Sequence, residues 1–150
     1  MGDNGRLTDA ELVDVDGTRV ALVAAADLRR LLDAFRERFG RPLRPPEGYR
    51  TYERQEALFL DRHTTTPLEG RPTATWRGET WYRRPDVAHC AVPGASPHGL
   101  GLAIDLTLED AEGEGGDWLR DGRCGWRWPA WARDDPTCEP WHLEHDGAPG

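Results

Sequence analysis

Two short stretches of the sequence carry side chains that could bind and use a metal ion. The first, SPHGLGLAID, runs from Ser96 to Asp105 and contains His98. The second, EPWH, contains Glu139 and His142. Two imidazoles and one carboxylate are ligands that a catalytic zinc takes when its fourth tetrahedral position is left to water. These residue types therefore predict a metal-assisted reaction at an open coordination position.

The spacing of the first stretch indicates how its two ligands could meet. His98 and Asp105 are seven residues apart, so they would point to opposite faces of one flat strand. Two glycines relax the backbone between them, and residues 96–101 are predicted to form a turn or short helical hook. The alternation of apolar and polar residues over Leu102–Leu108 predicts a central strand. Asp105 would then point from that strand into a cleft, which His98 reaches from the hook.

The second stretch also needs a departure from regular structure. Glu139 and His142 are three residues apart and fit a flat strand poorly, so a bulge or turn at Pro140 is predicted to bring both to the metal. Taken singly, such a histidine is more often an ordinary hydrogen-bonding residue than a ligand. The joint pattern S-x-H-x-x-G-x-A-x-D is far rarer at background residue frequencies. The presence of the second block makes a chance match rarer still, so the two blocks together favour a metal site.

Together the two stretches resemble the signature blocks of the zinc D-alanyl-D-alanine carboxypeptidase family. The matching residues are Ser96, His98, Gly101, Ala103, Asp105, Glu139, Trp141 and His142. That family includes VanY-type carboxypeptidases, VanX-type dipeptidases and the L-alanyl-D-glutamate endopeptidases of phage lysis, with the Hedgehog signalling domain as a distant fold relative. The stretch GYRTYERQ resembles a third family element, an arginine in a Y-R-[ST] setting, which places Arg50. The resemblance covers residues 24–145.

The resemblance implies a role for each of these side chains. His98, Asp105 and His142 would be the ligands of one zinc ion per chain, and Glu139 would be the general base. Zinc would lower the pKa of its bound water toward ~7. Glu139 would take the proton during attack on the scissile carbonyl and then pass it to the leaving amine. Arg50 would help the metal to hold the oxyanion; a surface salt bridge is the alternative role for this arginine.

Other side chains are expected to contact the substrate. Gln55 faces the same way as Arg50, one helical turn on, and would support it. Ser96 would bind a carboxylate or amide of the substrate or would cap the hook, and both roles remain open. The GW-x-x-PAWA run is similar to that of bacterial and phage family members. Its tryptophans and Trp141 would line the zinc side of the cleft, or they would form a Trp-rich core. The tryptophans concerned are Trp126, Trp128, Trp131 and Trp141.

Length and charge exclude several classes of partner. A chain of 150 residues suits one domain, residues 1–150, with a modest core. Its net charge of −8 argues against sequence-independent binding of nucleic acid and against electrostatic binding of anionic lipid. No apolar run is long enough to span a bilayer. The start, MGDNGRLTDAEL, has neither basic nor apolar signal regions, so we expect no signal peptide. The protein is expected to be a monomer that either stays in the bacterial cytoplasm or is released from it, as in phage lysis.

Apolar periodicity and turn residues predict the elements that position the site. Residues 1–23 are predicted to be an N-terminal clasp with a hairpin at Asp16–Gly17. Helices are predicted over Ala24–Phe39 and Tyr52–His63, with Thr51 or Tyr52 near the start of the second. Pattern and resemblance together give an α+β fold, a small antiparallel sheet with helices packed against it, like the Hedgehog and D-Ala-D-Ala-peptidase fold.

Residues 64–93 look like an insertion. Trp76, Trp81 and Tyr82 would line a substrate groove or anchor the loop by burying area, and the residue types do not decide between these roles. His89 is expected to be a surface or loop histidine, because the metal already has three ligands.

The run LEDAEGEGGD after the metal strand is predicted to be a mobile, solvated loop. Its acidic residues do not follow the spacing of an EF-hand calcium loop. Asp117 is predicted to cap a short helix that runs through Arg123.

The three cysteines contain no C-x-x-C pair, so a structural zinc finger is not expected. Cys124 and Cys138 flank the Trp-rich segment and could form a bridge in an oxidising compartment. In the cytoplasm both are expected to stay free.

Two functions of different class remain open. The first is a peptidase that acts on the peptide stem of peptidoglycan, as a carboxypeptidase that trims a terminal D-Ala or as an endolysin that cuts within the stem. The second is a Hedgehog-like binding domain that keeps zinc for stability alone. Glu139 favours the enzyme, since a binding domain has no need of an acid beside an open zinc. The small size, the missing signal and the GW-x-x-PAWA run favour a lysis-type enzyme by analogy.

Overall fold

The structure is a computed structural model that describes residues 2–134 and 138–148. The helices are α1 (Leu22–Phe39), α2 (Tyr52–Arg62), α3 (Leu108–Ala111), α4 (Gly113–Arg120) and α5 (Ala130–Asp134). The strands are β1 (Leu12–Val15), β2 (Thr18–Ala21), β3 (His63–Thr64), β4 (Thr73–Trp76), β5 (Glu79–Arg83), β6 (Ala103–Asp105), β7 (Trp126–Arg127) and β8 (His142–His145). Short 3-10 helices span Asp9–Glu11 and Pro97–Leu100.

Within residues 2–134 and 138–148 the strands form three small antiparallel sheets, and the α+β class predicted from the sequence is confirmed. Their strand orders are β1-β2, β3-β5-β4 and β6-β8-β7. Helix α1 contacts both the first and the third sheet and forms the main core with them. None of the described helices has the length and apolar character that crossing a bilayer requires.

Helix α1 owes its position to one apolar stripe. Leu28, Leu31 and Phe35 recur at helical spacing and are at most 1% exposed. The helix begins two residues before the predicted Ala24, directly after β2, and ends as predicted at Phe39. Gly40 adopts a left-handed conformation and its N–H closes the last turn on Arg36, which is the usual glycine stop signal.

The predicted N-terminal hairpin is confirmed, and the segment before it reaches the hook. Asp16 and Gly17 both have positive φ, as a tight turn between twisted strands requires. The Gly5 N–H donates to the Gly99 carbonyl (2.7 Å), and the Gly5 carbonyl accepts from the Tyr52 N–H (2.9 Å). A Cβ on Gly5 would lie 2.7 Å from Tyr52 Cα, so only glycine fits between the hook and α2.

A second, smaller core lies beneath the β3-β5-β4 sheet. Phe59 of α2 is fully buried there, and its ring lies 5.3 Å from Trp76 and 5.5 Å from Trp81. These two tryptophans therefore anchor the β4–β5 hairpin, which decides between the two roles left open by the sequence. Tyr82 lies in β5 opposite Thr73 of β4. That this region is an insertion stays a prediction.

The predicted strand Leu102–Leu108 is wrong at its C-terminal end. Strand β6 covers only Ala103–Asp105. Thr107 has extended backbone and its hydroxyl accepts from the Asp110 N–H (3.0 Å), so it caps α3. The alternation that suggested a strand ends where this capping residue begins a helix.

The acidic run after β6 is helical, so the prediction of a mobile loop is wrong. Its glycines serve close packing, since a Cβ on Gly115 would meet the Phe35 ring at 3.2 Å and one on Gly116 would overlap the Ala111 backbone. Asp117 is not the predicted cap, because it lies inside α4 and pairs with Arg120 (3.0 Å). Glycine content alone gives no distinction between flexibility and tight packing.

Candidate metal centre and active site

The hook forms as predicted and presents His98. Ser96 caps the Pro97–Leu100 helix, and its hydroxyl accepts from the His98 N–H (3.2 Å). The capping role proposed for Ser96 is therefore present in the structure. The His98 ring donates from Nδ1 to the Gly48 carbonyl (2.7 Å), which turns Nε2 toward Asp105 Oδ1 (3.1 Å).

The third sheet brings Asp105 and His142 together. The two residues are paired directly opposite each other in the β6–β8 register, so their side chains share one face. His142 Nδ1 lies 3.0 Å from Asp105 Oδ1. The neighbours of both residues along their strands, Ile104 and Leu143, point to the other face and are fully buried in the main core. Because side chains alternate along each strand, Asp105 and His142 face the site while their neighbours are anchored in the core.

The predicted departure from regular structure before β8 is also present. Pro140 and Trp141 form a turn, and the His142 N–H donates to the Glu139 carbonyl (3.2 Å). The Glu139 carbonyl also accepts from the Trp128 indole (3.0 Å), and the Glu139 N–H donates to Ala132 (2.9 Å). The backbone of Glu139 is therefore held from three directions, and its side chain lines the cleft described below.

His98, Asp105 and His142 form one compact group of potential ligands. Each offers one atom, and the three atoms lie within 4.8 Å of one another. Burial would by itself raise the pKa of Asp105, but hydrogen bonds from His142 and His98 hold that pKa well below its ordinary range. Burial would likewise lower the pKa of His142, but its hydrogen bonds to Asp105 and Glu144 raise it to about 9. The Asp105 carboxylate is therefore the common acceptor between the two imidazoles.

Arg50 lies beside this group, as predicted. Its Nη2 is 3.5 Å from Asp105 Oδ2, its Nε donates to Glu47 (2.7 Å), and its Nη1 donates to Gln55 (2.8 Å). Gln55 is buried and donates in turn to the Ala91 carbonyl (2.7 Å). Thr51 caps α2 by accepting from the Arg54 N–H, which places Gln55 one turn into the helix. The predicted support of Arg50 by Gln55 is thus present.

These residues open on one cleft, whose volume is about 420 Å³. It is lined by Glu47, Arg50, Arg54, Gln55, Leu58, Arg62, His89, Cys90, Ala91, Ala95, Ser96, Pro97, His98, Asp105, Trp131, Glu139, Trp141 and His142. The three potential ligands, Glu139 and Arg50 therefore share a single concave surface, which is where a substrate would meet all of them.

The predicted tryptophan wall is correct in part. Trp131 and Trp141 line the cleft. Trp126 is 1% exposed and belongs to the main core, so the core alternative holds for this residue. Trp128 packs against the same core. Strand β7 turns Trp126 inward because it pairs with His145, whose side chain is also buried.

Two residues at or beside the cleft were given no part in the site by the sequence analysis. His89 lies in a loop outside the ligand group, as expected, but it also lines the cleft, with its ring 5.0 Å from that of Trp131. Glu144 accepts from His142 Nε2 (2.8 Å). The spacing of Glu144 two residues after His142 is a strand signal that could have revealed this contact.

All three cysteines carry free thiols. Cys90 is buried in the cleft wall, where burial raises the pKa of its thiol. Cys124 is half-buried and Cys138 is exposed. A bridge between these two in an oxidising compartment stays a prediction.

Comparison with known proteins identifies the family. Residues 18–148 match the family model described as VanY, D-alanyl-D-alanine carboxypeptidase. This chain belongs to that family. A D-alanyl-D-alanine carboxypeptidase of Enterococcus faecalis (strain ATCC 700802 / V583) is 30% identical over 151 residues, a match that covers 93% of this chain. The chain spans 53% of the length of that curated relative.

Solved structures show the same fold. A Zn(II) complex of a variant of the vancomycin resistance D,D-pentapeptidase VanY, from a VanB-type cassette, superposes with a TM-score of 0.59 at 25% identity, over 90% of this chain and 78% of that chain. The LdcB LD-carboxypeptidase gives a TM-score of 0.63 at 26% identity, over 94% of this chain and 70% of that chain. VanYB in complex with D-alanine-D-alanine gives a TM-score of 0.58 at 25% identity, over 92% of this chain and 78% of that chain. The VanY-like fold expected from the resemblance is confirmed.

Proposed function

We propose that this chain is a zinc-dependent carboxypeptidase that removes a terminal D-alanine from the peptide stem of peptidoglycan. The observation that carries the proposal is the single cleft on which His98, Asp105, His142, Glu139 and Arg50 open, in a member of the VanY family. A relative solved with Zn(II) and another solved with D-alanine-D-alanine support the choice of metal and of substrate.

His98, Asp105 and His142 would hold the metal. Two neutral imidazole nitrogens and a carboxylate suit zinc, and three protein ligands leave a position open. The far nitrogen of each ring is held, by the Gly48 carbonyl for His98 and by Glu144 for His142, so that the other nitrogen of each ring faces Asp105. When bound, the metal would supply the Lewis acidity that activates water and polarises the scissile carbonyl.

Glu139 would move the proton. Glu139 lines the cleft, and its backbone precedes His142 by one turn. A carboxylate in this position would accept a proton from the attacking water and deliver it to the nitrogen of the leaving D-alanine, as base and then as acid. The buried position of Glu139, 6% exposed, keeps bulk water from competing for that proton.

Arg50 would stabilise the negative charge that develops on the carbonyl oxygen. Glu47 and Gln55 hold two of its guanidinium nitrogens, so the planar group is fixed before substrate arrives. A fixed donor of this kind needs no rearrangement when the oxyanion forms. The Arg50 side chain is only 10% exposed, which strengthens its interaction with such a charge.

Positive charge along α2 favours a carboxypeptidase over an endolysin. Arg54 and Arg62 line the cleft beyond Arg50. In the part of the chain that the structure describes, Arg54 pairs with no carboxylate, and Arg62 donates only to the backbone oxygen of His89 (3.3 Å). Two such arginines in a chain of net charge −8 suit a substrate that presents a terminal carboxylate.

The test uses the zinc-loaded protein with a stem pentapeptide ending in D-Ala-D-Ala and with purified peptidoglycan. We expect release of free D-alanine, read by mass spectrometry of the new termini. Glu139→Gln should lower turnover by at least ~100-fold, the scale of lost general acid–base catalysis, with zinc content unchanged. Glu37→Gln, an exposed position on α1, is the matched control and should keep full turnover.

Other products would overturn the proposal in different ways. Cleavage inside the stem without release of D-alanine would show an endopeptidase. Tight zinc binding with no cleavage of either substrate would show a binding domain. Equal turnover of Glu139→Gln and the parent would remove Glu139 from the mechanism.

A further inference from the structure

Strand β8 places a second acidic side chain against the ring of His142. Glu144 is two residues further along the strand, so both side chains lie on the same face. Glu144 Oε2 lies 2.8 Å from His142 Nε2, on the side of the ring away from Asp105. A carboxylate oxygen accepts in a hydrogen bond, so the ring nitrogen is the donor and its proton lies on His142 Nε2.

Helix α5 holds the Glu144 carboxylate in place. The Trp131 indole donates to Glu144 Oε2 (3.1 Å), and the Trp131 ring centroid lies 4.8 Å from that of His142. Glu144 is paired with Arg127 of β7 in the strand register and is only 13% exposed at its side chain. The carboxylate is thus fixed by its own strand and by two donors.

We propose that Glu144 is a positioning residue that holds His142 as the Nε2-protonated tautomer, with the Nδ1 lone pair turned toward the metal, and that Trp131 locks Glu144 in that role. The inference rests on the proposed metal site. A carboxylate on the far nitrogen fixes the ring orientation and makes the imidazole a stronger ligand. His98 has a neutral carbonyl in the same position, so the two imidazoles differ in strength as ligands.

A direct part in the reaction is less suited to Glu144. The residue is not among the described residues that line the cleft, whereas Glu139 and Trp131 are. Its carboxylate faces the nitrogen of His142 that points away from Asp105. Glu144 therefore acts on the site through the imidazole and has no path of its own to substrate.

The test measures zinc affinity by competition with a chromophoric chelator, together with the rate of zinc removal by excess chelator. Glu144→Leu should lower zinc affinity by ~10–100-fold, the range for loss of an outer partner of a ligand. Glu144→Gln should lose less, since its amide oxygen still accepts a hydrogen bond. Trp131→Phe keeps an aromatic ring but removes the indole N–H donor, and its effect should be smaller again because Glu144 itself is retained. Glu37→Gln on α1 should bind zinc like the parent.

A second readout separates positioning from a general effect on folding. Long-range ¹⁵N–¹H spectra of the zinc-loaded parent should show His142 protonated at Nε2, and Glu144→Gln should exchange that proton faster. The isosteric Gln variant keeps the test available if Glu144→Leu fails to fold. Parent-like zinc affinity in both Glu144→Leu and Glu144→Gln would overturn the inference.

The failure of this inference is distinct from failure of the proposed function. A parent that binds zinc and cleaves nothing, with weaker zinc binding in the Glu144 variants, would refute the enzyme and keep the positioning role. A parent that releases D-alanine, with Glu144 variants that bind zinc normally, would support the enzyme and refute the positioning role.

Discussion

The two walls of the cleft are built differently. On one side, the potential metal ligands lie on the hook and the β6-β8-β7 sheet, and the residues adjoining Asp105 and His142 are part of the main core. On the other side, α2 carries Arg50's partner Gln55, and behind it lies the smaller cluster around Phe59. The wall that would hold the metal is therefore supported by the main core, whereas the wall that would meet the substrate is supported by the smaller cluster around Phe59.

This difference separates two demands on an active site. A metal site tolerates little displacement of its ligands, so these are best placed on strands whose alternate residues are buried. Substrate contacts can vary without loss of the metal, and a helix backed by a separate hairpin can change sequence independently. The hook joins the two walls, since the Arg50 N–H donates to the His98 carbonyl (3.0 Å).

Loss of a proposed ligand on the β6-β8-β7 sheet should have the largest effect on zinc affinity and turnover. His142→Ala is expected to lower zinc affinity by far more than the ~10–100-fold given by loss of an outer partner, and to abolish turnover with it. His89→Ala is the matched control, because His89 lines the same cleft but lies outside the ligand group. Metal analysis of both proteins after dialysis checks this. A His142→Ala protein as zinc-loaded as the parent would show that the ligands lie elsewhere.

Removal of a core ring on each side should reveal the two cores as separate units. Phe59→Ala and Phe35→Ala should each cost about 3–5 kcal/mol, since both rings are fully buried. In Phe59→Ala, hydrogen exchange should accelerate first in β4 and β5, with β6 and β8 still protected. In Phe35→Ala, β6 and β8 should lose protection as well. Uniform acceleration in Phe59→Ala would show that the two walls are one cooperative unit.

A buried pair that joins α1 to the β6-β8-β7 sheet should make stability depend on pH. The His145 ring lies 2.7 Å from Asp27 Oδ2 with both side chains buried, and Arg30 also bonds Asp27. The hydrogen bond from His145 is the main reason why the pKa of Asp27 lies below its ordinary value of 3.8. A lowered carboxyl pKa contributes stability above the unfolded value, and the contribution is lost as pH falls through the folded value.

The expected result is a pH-dependent effect of Asp27→Asn. Its loss of stability, about 2 kcal/mol for a hydrogen bond to a charged group, should be constant above about pH 5 and should shrink below pH 3.8. Urea unfolding at several pH values measures this, with Asp33→Asn, an outward-facing residue of α1, as the control. If Asp27→Asn lowered the free energy of unfolding by the same amount at every pH, the Asp27–His145 pair would not be a source of pH-dependent stability.

Features that depend on residues close together in the chain are predicted correctly from the sequence, on both walls of the cleft. The spacing of His98 and Asp105 requires a hook followed by a strand, and Asp16–Gly17 requires a hairpin, because few backbone conformations satisfy those residues. The local contact between Arg50 and Gln55 follows from one helical turn. These are short-range constraints, and short-range constraints are visible in a sequence.

What the sequence does not predict depends on contacts between distant segments. Arg62 and His89 become neighbours only through the fold of the segment between them, and the tight fit of Gly115 against Phe35 depends on α1. Trp126 and Trp131 are both tryptophans in one run, yet one is core and the other lines the cleft. Residue type alone cannot distinguish such positions, since the partner that decides the outcome lies elsewhere in the chain.

The smallest expected effect concerns the charge on the α2 wall. Arg62→Gln should raise KM by about 10-fold for a stem peptide ending in D-Ala-D-Ala, since a charge-assisted hydrogen bond contributes about 1.5 kcal/mol. The same variant should change KM little for the peptide amidated at its C-terminus, because the amide carries no charge for the arginine to bind. Zinc affinity and kcat should stay close to those of the parent, since Arg62 contacts none of the proposed ligands.

Two controls make this comparison of substrates decisive. Arg54→Gln removes an exposed charge at the same wall and should raise KM less, because solvent screens an exposed interaction. Arg29→Gln removes an exposed charge from α1 and should have no effect. If Arg62→Gln raised KM equally for the free acid and the amide, the arginine would serve only to hold the loop at His89. The positive wall would then give no reason to prefer a carboxypeptidase, and the substrate's terminal carboxylate would have to be bound on the sheet side of the cleft.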